Sequence, residues 1–153
     1  MIVKIGKEEV NLDDAVLKFS PETINDFLAT YAALHRYYHD KYADASYIAS
    51  KYKDSYNNTY NMKLQDYKVS KGCSDKLAEA VAKSDSEVIT AQEKMRAAEY
   101  VKTLVWGFLR SMDYAHEDAK EMCYNLRKEL DKIYPSHIAR TEKKLEEMFS
   151  DGE

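Results

Sequence analysis

The chain has 153 residues, is 33% charged and 44% hydrophobic, and carries a net charge of −4, a length and composition that fit one domain. Four glycines and two prolines exclude a many-stranded fold, which needs turn residues at about every tenth position, and the acidic balance excludes an all-over cationic nucleic-acid binder. The expected class is all-α.

The charge is unevenly placed. Residues 31–83 hold nine Lys/Arg against six Asp/Glu, so a basic middle stands between two acidic ends. Cys73 and Cys123 fit no metal or redox spacing. With no secretory signal, they predict reduced thiols, a cytoplasmic protein and a silent Asn57-Asn58-Thr59 sequon. The longest apolar run, Leu104 to Leu109, is too short to span a bilayer, so no membrane partner is expected.

Residues 1–20 open with β-branched residues around Gly6, which predicts a short hairpin or extended arm followed by a short helix through Phe19, capped near Asn11 and Asp14. "SPET" starts the first long helix, expected over 21–72, with Ser20 as cap and Pro21 at the first helical position. Apolar or aromatic residues then recur at alternating three-and-four spacing from Ile24 to Met62, with Tyr31, Tyr38, Tyr42, Tyr52 and Tyr56 among them. Gly72 suits the left-handed residue that ends such a helix.

A connector helix is expected over 74–83, begun by Ser74, and a second long helix over 85–134, with Ser84 and Glu87 at capping-box spacing. Its stripe includes Val101, Val105, Phe108, Met112, Met122 and Leu126 in a seven-residue repeat. Trp106 is assigned with these residues to the core or oligomer contact. The two helices have the lengths to fold into a long antiparallel, coiled-coil-like hairpin. Stripes wider than a two-helix seam further predict a homo-oligomer. A C-terminal helix is expected over 136–150.

The chemistry-bearing residues are few. His35 and His39, four apart near Asp40 and Asp44, have the spacing of two metal ligands, and Asp113 with His116 is the nearest further set. Ordinary helix-surface histidines are the expectation, with no metal and no cofactor. No phosphate loop, nucleophile elbow or paired-carboxylate pattern is present, so no enzyme is expected. Tyr60 and Tyr67 lie seven apart on one outward face with Lys53, beside Lys63, Lys68, Lys71 and Lys76. Rings interleaved with ammonium groups suit single-stranded nucleic acid, whose bases stack while phosphates meet lysines; a solvated face with tyrosines over lysine stems is the plainer alternative.

Two short matches favour DNA. "KLQDYKVSKG" at Lys63 to Gly72 resembles the basic, Tyr-containing segment and glycine loop of the UvsY family of phage recombination mediators. "VWGFL" at Val105 to Leu109 is similar to that family's Trp-Gly-(Ile/Leu)-Leu stretch. The resemblance implies a phage-encoded, non-catalytic oligomer in the host cytoplasm that binds single-stranded DNA. It also implies two protein partners, a recombinase and the single-strand-binding protein displaced as that recombinase is loaded. The alternative is a structural coiled-coil oligomer, such as a virion scaffold or adaptor, that binds no nucleic acid.

Overall fold

A computed structural model describes residues 1–133. In chain order they form strands β1 (Ile2–Ile5) and β2 (Glu8–Asn11), a 3-10 turn at Asp14–Leu17, helix α1 (Ile24–Gln65), a π turn at Asp66–Ser70, helix α2 (Asp75–Ser84) and helix α3 (Ser86–Ile133). The helix expected over 136–150 lies outside the described residues. The protein is thus mostly helical, with a two-stranded sheet that an all-α class omits. No helix among the described residues is long and apolar enough to cross a membrane.

The first twelve residues are a β-hairpin that belongs to the core, not an arm. Val3 faces Val10 across the antiparallel pair, and period-two alternation turns Val3, Ile5 and Val10 inward while Ile2, Lys4 and Glu9 face out. Gly6 takes φ +62 at the first of the two loop positions, the left-handed start that a type II′ turn requires. Leu12, just past β2, is 1% exposed. The short helix expected through Phe19 is only one 3-10 turn, capped by Asp13, whose carboxylate accepts the Ala15 N–H at 2.9 Å.

α1 and α3 run antiparallel, because partners rise in number on one as they fall on the other. Tyr31 stacks on His116 with ring centres 3.9 Å apart, Tyr38 meets Phe108 edge-on at 4.7 Å, and Lys63 donates to Glu87 at 2.7 Å. The core lies where the β-hairpin covers both helices. Val3, Ile5, Val10 and Leu12 pack with Tyr38 and Ala45 of α1 and with Val105, Phe108, Leu109 and Met112 of α3. The Tyr38 hydroxyl donates to the Asn11 carbonyl at 2.9 Å, and Lys41 donates to Glu8 at 2.7 Å, fastening the hairpin to α1.

Several boundaries differ from the expected ones. Ser20 and Thr23 close a turn on each other, the Ser20 N–H reaching Thr23 Oγ1 at 2.9 Å, so α1 begins three residues later than Pro21. At its far end the α pattern stops at Gln65, before Gly72. The Lys71 N–H reaches the Asp66 carbonyl, a five-residue step that makes the π turn, and Gly72 then ends it at φ +64. α3 is capped by Asp85, whose Oδ1 accepts the Glu87 N–H at 2.9 Å; Ser84 instead bonds back to Val81.

The stripes also narrow. Tyr52 and Met62, on the stripe expected to pack against the second helix or a neighbouring copy, are 39% and 73% exposed in the single chain, because the apolar cluster under the β-hairpin reaches along α1 only as far as Ile48. Beyond it, Tyr52 borders open grooves whose α3 wall includes Ala91 and Ala98.

Leu12→Ala tests whether the hairpin is structural. Removing a wholly buried leucine costs about 2–5 kcal/mol, which for a chain of this size lowers Tm by roughly 5–15 °C. A melt within a degree or two of the parent would return residues 1–12 to the status of an arm.

Candidate nucleic-acid interface

Five of the seven candidate residues gather at the bend between α1 and α3, with Lys53 and Tyr60 further back on α1. Lys63 stands on the last α turn of α1, Tyr67 and Lys68 within the π turn, Lys71 just after it, and Lys76 in the first turn of α2. The π turn brings Tyr67 round to the start of α3, where its hydroxyl donates to Asp85 Oδ2 at 3.0 Å.

Asp85 is the centre of this bend. It caps α3, accepts the Tyr67 hydroxyl and lies 3.4 Å from the Lys63 ammonium, which also meets Glu87 at 2.7 Å. The Glu87 backbone N–H, followed by Tyr67 and Lys63, holds its carboxyl below the usual aspartate range. The hydrogen bond to Glu87 raises Lys63, and the bond to Asp85 raises the Tyr67 hydroxyl. Asp85 was not among the sequence candidates; the Asp-Ser-Glu run at the start of a helix was its signal, credited instead to Ser84.

The other lysines divide. Lys68 pairs with Asp75 at 2.9 Å, which raises its pKa, and Lys71 lies 3.9 Å from Asp66 with its ammonium 4.2 Å from the centre of the Tyr67 ring. One face of Tyr67 is therefore occupied by a cation. Tyr60 is half-buried, its ring 6.3 Å from that of Tyr56. Lys53 and Lys76 are exposed and form no ion pair among the described residues. Lys53 lies ten residues along α1 from Lys63, about 15 Å away, and so stands apart from the bend.

The residues assigned to core or oligomer contact also separate. Val105, Phe108 and Met112 are buried, and Val101, Met122 and Leu126 are half-buried. Trp106 is 46% exposed, meeting Tyr42 at 5.3 Å, because it lies a helical step off the α1-facing stripe.

His35 and Asp113 come together at 3.1 Å, and Tyr31 joins them, donating to Asp113 at 2.9 Å while stacking on His116. Burial, then the bond to Asp113, pushes the Tyr31 hydroxyl up to about 12. This cluster ties α1 to α3 with a tyrosine at its centre, and the described residues contain no group of three ligands set to hold a metal.

A groove of about 260 Å³ between Gly6, Ile48, Tyr52, Lys94 and Val101 is lined without carboxylate, histidine or thiol. The chain matches no family model, no curated protein and no solved structure.

A carboxyl held below its ordinary range lends stability above that range and loses it as pH falls through the lowered value. Asp85→Asn should therefore melt below the parent at about pH 6, with a smaller gap at about pH 3, below the ordinary aspartate range, and none once the parent's Asp85 is protonated. A gap of equal size at both pH values, followed by circular dichroism, would mean that the charge of Asp85 does not hold the bend.

Proposed function

We propose that this chain is a non-catalytic, self-assembling helical protein that binds single-stranded DNA around its bend and serves as a recombination mediator, helping a recombinase to replace the single-strand-binding protein. The observation that carries this reading is the convergence of Lys63, Tyr67, Lys68 and Lys71 on one short bend, with Lys71 against the Tyr67 ring. This is the segment that resembles the mediator family, and Lys76 on α2 adds an exposed ammonium with no ion pair among the described residues, with Lys53 a second one further along α1. Exposed ion pairs contribute about 0–1 kcal/mol each, so a polyphosphate strand can replace surface carboxylates as the partners of Lys68 and Lys71. Self-assembly is supported by apolar side chains left in solvent, among them Met62 at 73%, Val69 at 83% and Tyr100 at 64%.

A structural oligomer that binds no nucleic acid is the second reading. It is favoured by the pairing of Lys63, Lys68 and Lys71 with carboxylates, which gives each a role in closing the bend.

Filter binding of single-stranded and duplex DNA at two salt concentrations separates the two. Under the mediator reading Lys63→Ala/Lys68→Ala/Lys71→Ala binds single strands more weakly, its log-log salt slope shallower by about 0.7 per lost phosphate contact. Lys53→Ala/Lys76→Ala, which breaks no ion pair, should also weaken binding while leaving Tm alone. Tyr60→Ala/Tyr67→Ala should weaken it with little change of slope, since stacking releases no counterions. A parent that retains no single-stranded DNA at low salt leaves the structural reading in place.

A further inference from the structure

The α3 face turned away from α1 carries a pattern symmetric about Gly107. Gly107 is exposed in mid-helix, and a Cβ built there meets nothing within 4 Å, so the single chain gives no reason for a residue that weakens a helix. Seven residues to either side on the same stripe stand Tyr100 and Tyr114, 64% and 61% exposed. Four to either side stand the hydroxyls Thr103 and Ser111, both exposed. Eleven to either side stand Arg96 and Asp118, opposite in charge, exposed, and without an ion pair among the described residues.

We propose that a second copy of this chain docks here, its α3 crossing antiparallel over the first with a two-fold axis at Gly107. A two-fold axis sets each residue against the one equally far beyond Gly107 on the other copy, so a self-complementary face must read in mirror order about its centre. In this register Tyr100 meets Tyr114, Thr103 meets Ser111, and Arg96 meets Asp118, each contact occurring twice. Gly107 lies at the point of closest approach, where a missing side chain lets two backbones draw near. Glu93 falls opposite Glu121 one turn further out, so like charges face each other there and mark the edge of the contact. Arg110, which donates to the Tyr114 hydroxyl at 3.0 Å, holds that ring in place at the edge of the contact. The contact leaves the bend lysines uncovered, since they lie at the far end of α1.

The inference rests on the self-assembly proposed above, and the test separates the two. Particle mass of the full chain is measured by light scattering for the parent, Gly107→Leu, Arg96→Asp and Arg96→Asp/Asp118→Arg, with circular dichroism to confirm helix. Gly107→Leu and Arg96→Asp should each lower the mass or raise the concentration of half-assembly about tenfold, and the charge-swapped pair should restore the parent's behaviour. In a Cys73→Ser/Cys123→Ser background, Gly107→Cys should oxidise to a disulfide-linked dimer, since a residue on the axis meets its own copy. Thr103→Cys, which faces Ser111, should not. A parent larger than one chain whose mass none of these variants changes, and whose Gly107→Cys form gives no more dimer than Thr103→Cys, overturns the α3 contact while self-assembly stands. A parent with the mass of a single chain overturns both.

Discussion

The fold depends on one burial event, the docking of the N-terminal hairpin's apolar face onto the antiparallel helix pair. Two helices meeting along a single seam expose most of their surface and enclose little volume, so neither has a protected interior by itself. The hairpin supplies a third layer. Val10 and Leu12, each 1% exposed, close over Tyr38, Phe108 and Leu109, and the Tyr38 hydroxyl spends its hydrogen bond on the Asn11 carbonyl instead of on water. Where the hairpin stops covering α1, the continuous apolar cluster stops as well; outside it Ile24, Ala49, Val88 and Ala119 are still buried, and Tyr31 stacks on His116.

That division explains what the sequence disclosed. Helix positions followed from period, since a three-and-four alternation without breakers admits few other structures, and Gly72 takes the left-handed conformation expected of it. Coverage did not follow, because period identifies a face without saying what lies against it. Tyr38 and Tyr52 sit on the same stripe, yet only Tyr38 has the hairpin above it. The hairpin itself was legible as β-branched residues around Gly6. Its place in the core was not, since Val3 and Val10 alternate as they would in any half-buried strand pair.

At the bend the difficulty was competition for one role. Ser84, Asp85 and Ser86 are all capping residues, and the aspartate prevails because its charge serves three donors at once: the Glu87 N–H, the Tyr67 hydroxyl and the Lys63 ammonium. The π turn is what delivers Tyr67 to it. A spacing argument that assumes one uninterrupted α-helix past Gln65 puts Tyr67 on the outward stripe with Tyr60, whereas the wider turn rotates it toward α3. The lysines were found in sequence as a group, but the carboxylates that answer them come from residues 66, 75, 85 and 87, whose approach depends on the chain turning back.

The hairpin-covered middle and the bend are therefore held by different physics. The middle rests mainly on apolar burial, with Lys41–Glu8 at its edge, while the bend is charged and responds to ions and protons. A polyanion reaching the bend meets cations whose present partners are mostly surface carboxylates, so exchanging one anion for another need not disturb the covered core. Lys63 is the exception, because Asp85 beside it is only 12% exposed and its charge also organises the cap of α3 and the tyrosine of the π turn. Withdrawing Lys63 toward a phosphate would leave a nearly buried carboxylate with fewer partners, a cost that the exposed pairs Lys68–Asp75 and Lys71–Asp66 do not carry. Within this one basic cluster, the lysines most available to a strand are those least involved in holding the bend.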